Sequence, residues 1–124
     1  MISVGTDIVE IDRVRVVFER HEKRFSARIL TPRELQIMAT KHQPWRYLAK
    51  RFAAKEAIAK CLGTGIGVEL GWHDLDVDST AAGAPVVHLS PRASALAASQ
   101  GGSRVLLSIA DERAYAVAFA VLVT

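Results

Sequence analysis

Arg51-Phe-Ala-Ala-Lys-Glu-Ala-Ile-Ala-Lys60 has the spacing of an amphipathic helix with a carboxylate set in its apolar stripe. Successive helical residues turn by about 100°, so positions three, four and seven apart share a face. On that count Trp45, Leu48, Ala49, Phe52 and Ala59 fall on one side, and Glu56 projects between Phe52 and Ala49. A carboxylate in such a stripe is costly to bury unless a positive charge meets it. Lys60, one turn on, is one partner; an i,i+4 pair of this kind is worth roughly 0.2–0.5 kcal/mol. A divalent metal ion is the other, since carboxylates are the natural ligands of hard cations.

The N-terminal segment Ile2-Ser-Val-Gly-Thr-Asp-Ile-Val9 alternates as a strand does. Ile2, Val4, Thr6 and Ile8 share one face, and Asp7 lies on the other beside Gly5. Without a side chain at Gly5, a ligand is expected to approach the backbone there. Taken alone, Asp7 reads as a solvated strand residue. Taken with Glu56, it completes a pair suited to Mg²⁺, which is usually held by one or two carboxylates with waters and substrate phosphates.

The remaining pattern frames these two segments. A helix is expected over 11–23. Thr31-Pro-Arg-Glu34 reads as a capping box with proline at the first helical position, opening a short helix. A long helix follows over 45–62, and Gly63-Thr-Gly-Ile-Gly67 stops it. Such a loop can also offer backbone N–H groups to phosphate. Strands are expected over 72–78, 86–89, 105–109 and 115–123, with a helix from Ser90-Pro91 to Gln100. Strands and helices mix without strict alternation. The expected class is α+β, a largely antiparallel sheet packed with helices, in one domain over 1–124.

Half of the 124 residues are hydrophobic, enough for a core in a chain that still buries a modest share of its surface. No run is long enough to span a membrane, and the first residues lack the features of a signal peptide. The lone cysteine, Cys61, permits no internal disulfide and fits a cytoplasmic protein. The net charge of +3 is unevenly spread. Arg13, Arg15, Arg20, Lys23, Arg24, Arg28 and Arg33 form one basic group, and Lys41, Arg46, Lys50, Arg51 and Lys55 a second. Each reads either as a solvated face or as a footprint for an anionic partner. Nucleic acid is not that partner: no binding motif is present, and aromatics are scarce in both groups. No histidines pair at zinc-ligand spacing, no Ser/His/Asp signature surrounds a serine, and the glycine loop lacks the lysine of a Walker motif.

Gly5-Thr-Asp7 with Arg13, joined to Phe52-Ala-Ala-Lys-Glu56-Ala-Ile-Ala-Lys60 and Gly63-Thr-Gly65, resembles the holo-[acyl-carrier-protein] synthases, the small standalone 4′-phosphopantetheinyl transferases. The resemblance covers nearly the whole chain. It implies transfer of 4′-phosphopantetheine from coenzyme A to a serine of apo-acyl carrier protein, with release of 3′,5′-ADP. It implies Mg²⁺ on Asp7 and Glu56, with Lys60 beside the phosphates and Glu56 or a water as base. Arg51, Gly63, Thr64 and Gly65 are then further coenzyme A contacts. Acyl carrier protein is small and acidic, which gives Arg13, Arg20 and Arg24 a docking role. The carrier of fatty-acid synthesis is the default acceptor. A homotrimer with active sites between subunits is also implied.

One departure stands out. Family members commonly carry Ser-x-Ser-His before the last strand; here the same place reads Ser108-Ile-Ala-Asp111. An aspartate there opposes phosphate unless it points away or engages the metal or a lysine. The alternative reading of the chain is a non-catalytic basic module that holds an acidic protein or a nucleotide.

Overall fold

The computed structural model describes residues 1–124. In chain order the elements are β1 (Ser3–Glu10), α1 (Ile11–Ile29), α2 (Pro32–Met38), α3 (Pro44–Cys61), β2 (Leu75–Ser79), β3 (Pro85–Leu89), α4 (Pro91–Ser99), β4 (Arg104–Asp111) and β5 (Tyr115–Val123). β5 is central in a three-stranded sheet of order β1-β5-β4, and β2 and β3 form a separate two-stranded sheet. Every pairing is antiparallel. The class is therefore the expected α+β.

α3 lies against the inner face of the larger sheet. Ala53, Ala54, Ala57 and Ala59 are fully buried there with Ala118, Ala120 and Leu122. Small side chains on both surfaces bring helix and strands close together. Gly5 takes this furthest: a Cβ there would overlap the Ala57 carbonyl oxygen and stand 2.7 Å from the Cys61 nitrogen. Gly5 thus serves helix–strand packing rather than the ligand approach expected from the sequence. A second apolar cluster, with Ile11, Val14, Phe18, Leu30 and Leu48 at its centre, joins α1 to α3.

Lys55 corrects the reading of the second basic group, because its side chain is wholly buried, as is that of Glu34. Lys55 Nζ donates to Glu34 Oε1 at 2.6 Å, to the Ile29 carbonyl at 2.7 Å and to the Trp72 carbonyl at 3.2 Å. Glu34 also accepts from the backbone of Thr31 at 2.8 Å and of Val77 at 2.7 Å. The Glu34 amide donates to Thr31 Oγ1, which completes the expected capping box. One buried ion pair thereby ties the end of α1, the start of α2, the middle of α3 and β2. Burial pushes the Lys55 ammonium pKa down, and the charge of Glu34 opposes that shift.

Two boundaries differ from the sequence reading. α1 continues past residue 23 to Ile29, through a kink at His21 with φ −137° and ψ 42°. No Gly or Pro stops it, and Ser26 and Ile29 are buried on its far half. The strand expected from Trp72 begins at Leu75, because Trp72–Asp74 form a 3-10 turn. The Asp74 carboxylate holds that turn by accepting from the Gly71 amide at 2.7 Å and from Ser90 Oγ at 2.7 Å.

The outer face of the larger sheet has no cover. Ile2, Val4, Thr6 and Ile8 do share a face, but it is this one, and Ile8 is 64 % exposed. Leu106, Tyr115, Val117 and Phe119 extend the exposed apolar surface across β4 and β5.

Candidate active site

Asp7 points from the inner face of β1 toward the last turns of α3, where Glu56 and Lys60 project. Lys60 Nζ lies 3.2 Å from Asp7 Oδ1 and donates to the Thr6 carbonyl at 2.9 Å. The lysine therefore pairs with Asp7 across the helix–strand seam, not with Glu56 on its own helix. Glu56 is half-buried. Burial pushes its carboxyl pKa up from the ordinary 4.5, the negative charge of Asp7 pushes it further, and Lys60 pulls the other way. Two carboxylates on one hollow, with the single ammonium of Lys60 paired to Asp7, leave negative charge uncompensated at Glu56. That donor set fits a hard divalent cation whose other ligands are waters and phosphate oxygens. No third His, Cys, Asp or Glu joins the pair.

The pair opens on a hollow of about 370 Å³. Arg13 and Glu10 stand at its polar side, and Val9, Val14, Val17, Phe25 and Phe52 form its apolar wall. Arg13, Arg20 and Arg24 are all exposed along α1.

The glycine loop does less with its backbone than expected. The amides of Thr64 and Gly65 turn back to the Ala59 carbonyl, and that of Gly63 to Lys60. Positive φ at Gly63 (84°) and Gly65 (66°) makes this helix stop feasible. Nothing lies within 4 Å of where a Cβ on Gly65 or Gly67 would stand, so the loop surface is open.

Arg51 faces elsewhere. It lines a larger cavity of about 590 Å³ with Lys41, His42, Arg46, Lys50, Tyr47, Asp78 and Asp111 among its walls. Its guanidinium lies 4.6 Å from the centre of the Tyr47 ring. Arg51 and Tyr47 are 8 % and 5 % exposed, yet Arg51 Nε and Tyr47 Oη have no hydrogen-bond partner. Four cations, Lys41, Arg46, Lys50 and Arg51, face two carboxylates, Asp78 and Asp111, around this cavity, a balance that favours an anion. It shares no lining residue with the Asp7–Glu56 hollow. Sequence reasoning counted these cations but missed their convergence, because Asp78 and Asp111 reach the cavity from β2 and β4. Asp111 is exposed but paired. Its Oδ2 accepts from Arg46 Nη1 at 2.7 Å, and its Oδ1 is 3.9 Å from Lys50 Nζ.

The geometry has close counterparts. Residues 3–120 match the family model of the 4′-phosphopantetheinyl transferase superfamily. The holo-[acyl-carrier-protein] synthase of Shewanella amazonensis is 52 % identical over 122 residues, 98 % of this chain and 98 % of that one. The crystal structure of the holo-[acyl-carrier-protein] synthase from Neisseria meningitidis superposes with a TM-score of 0.92 at 41 % identity, covering 100 % of both chains. That of the Helicobacter pylori enzyme in complex with coenzyme A gives 0.84 at 30 % identity, covering 96 % of this chain and 98 % of that one. Similarity of this breadth, in sequence and in structure, shows that the chain belongs to the 4′-phosphopantetheinyl transferase superfamily, as an enzyme of its holo-[acyl-carrier-protein] synthase family.

Proposed function

We propose that this enzyme, acting as one domain over residues 1–124, transfers 4′-phosphopantetheine from coenzyme A to a serine of apo-acyl carrier protein and releases 3′,5′-ADP. The observation that carries the reading is the facing pair Asp7 and Glu56, with the Glu56 pKa raised by burial and by Asp7. These two residues would hold Mg²⁺, which supplies charge neutralisation at the pyrophosphate and its developing charge. Lys60, half-exposed and anchored on Asp7 and the Thr6 carbonyl, reaches toward the leaving nucleotide. Glu56 is the proton acceptor the hollow offers to the serine hydroxyl. The loop of Gly63, Thr64 and Gly65, open at Gly65, gives the nucleotide a path past Lys60. Arg51 and its neighbours take an anionic end of coenzyme A in the basic cavity. The test is mass spectrometry of apo-acyl carrier protein incubated with the enzyme, coenzyme A and Mg²⁺. A gain of one phosphopantetheine group is expected; tight carrier binding with no mass change would favour a non-catalytic binding module.

Arg13, Arg20 and Arg24 lie exposed on α1, the first of them at the rim of the hollow. We assign them to docking the acidic carrier. In the same assay Arg13→Glu is expected to raise KM for the carrier and leave KM for coenzyme A nearly unchanged, and wild-type transfer should weaken as salt rises. Equal carrier KM and no salt effect would move docking elsewhere.

One copy does not unite the metal hollow with the basic cavity, and the apolar outer face of the sheet lacks a cover. A contiguous patch of this kind marks an association surface. The reading that joins the two facts is a homotrimer in which the hollow of one copy meets the cavity of the next. Light scattering at dilute concentration is expected to give three times the chain mass. A fully active monomer would refute shared sites.

A further inference from the structure

Asp111 sits where its charge looks unfavourable. It lines a cavity whose other walls carry Lys41, Arg46, Lys50 and Arg51, and an anion entering there meets a carboxylate. Its contacts resolve the contradiction. Arg46 uses both terminal nitrogens, Nη1 donating to Asp111 Oδ2 at 2.7 Å and to the Glu112 carbonyl at 3.0 Å, and Nη2 to the Arg113 carbonyl at 2.9 Å. That arginine clamps the β4–β5 turn to the first turn of α3. The clamp fixes the Asp111 carboxylate, and its second oxygen faces Lys50 at 3.9 Å. Lys50 and Arg51 are adjacent in sequence, and both reach this cavity. Arg51 is already placed by stacking on Tyr47. Lys50, on a flexible four-carbon stem, has only Asp111 to place it.

We infer that Asp111 is a positioning residue for the nucleotide end of coenzyme A: anchored by Arg46, it holds the Lys50 ammonium at the cavity wall so that Lys50 and Arg51 together take a phosphate. The inference rests on the proposed transfer reaction, and it sets the sign of an experiment. If the carboxylate merely repelled phosphate, removing its charge would tighten binding. If it positions Lys50, removing its charge loosens binding.

The probe is 3′,5′-ADP, titrated by calorimetry into the full-length protein, so that turnover plays no part. Asp111→Asn keeps an oxygen for Arg46 and loses the charge that holds Lys50. It is expected to weaken 3′,5′-ADP binding roughly five- to tenfold. Asp111→Glu should restore most of the affinity. In a Lys50→Gln background, Asp111→Asn should add little further loss, because both changes remove the same arrangement. In turnover, KM for coenzyme A should rise while KM for the carrier holds, a split that a general loss of stability would not produce. Equal or tighter binding by Asp111→Asn overturns the inference. So does unchanged affinity in Lys50→Gln, a variant that keeps the Arg46 clamp and so serves even if changes at Asp111 disturb the turn. Wild-type protein that neither binds 3′,5′-ADP nor modifies the carrier overturns the transfer reading itself. Wild-type protein that does both while Asp111→Asn binds normally overturns only the role of Asp111.

Discussion

Glu56→Gln is expected to reduce phosphopantetheine transfer by roughly a thousandfold, the size of several kcal/mol of transition-state stabilisation at about 1.36 kcal/mol per tenfold. Glutamine fills the space of glutamate but ligates a hard cation poorly and accepts no proton. The same change should leave the metal-free fold intact or slightly stabilised. The sign follows from the pKa. A carboxyl whose pKa is raised on folding is less favourably ionised in the native state than in the unfolded chain, so at neutral pH its charge lowers stability. Glutamine removes that charge together with its repulsion from Asp7. A second readout separates metal loss from loss of a base. Mg²⁺ should raise the melting temperature of the wild type and not that of Glu56→Gln. In the wild type this rise should fade as pH falls through a value above 4.5, where Glu56 takes up its proton. Near-normal transfer by Glu56→Gln would remove Glu56 from the site.

Lys55→Met should be the most destabilising single substitution near the site, although Lys55 touches no substrate. It leaves the Glu34 carboxylate buried without its ammonium, a loss of about 3–5 kcal/mol. Native domains have only about 5–15 kcal/mol in total, so little soluble protein is expected. Glu34→Leu in the same chain should recover part of the loss by removing the stranded charge. Recovery should stop short, because the Thr31 and Val77 amides then lose their acceptor. Urea unfolding of the three variants checks the order. A loss below about 1 kcal/mol for Lys55→Met would mean that water reaches the pair.

Much of this was legible in the sequence, and the exceptions share a cause. The strand with Asp7, the long helix with Glu56 and Lys60, and the Thr31–Glu34 capping box follow from local periodicity and local hydrogen bonding, and the structure has each of them. Lys55 was misread because a lysine on a helix is usually solvated. Its burial depends on Glu34, twenty-one positions away. Gly5 was misread because its neighbours Ala57 and Cys61 lie on another element. The basic cavity escaped notice for the same reason, with walls drawn from α2, α3, β2, β3 and β4 and their flanking loops. Asp111 stood out as a departure, but its role needed the position of Arg46.

The separation of the metal hollow from the basic cavity also has a genetic meaning. If each working site takes one half from each of two neighbours, inactive alleles of different halves can rescue one another. Chains carrying Glu56→Gln keep a sound cavity, and chains carrying Arg51→Ala keep a sound hollow. Co-expressed in one cell, they would assemble rings in which about a quarter of the sites pair two intact halves. Two alleles of the same half would never do so.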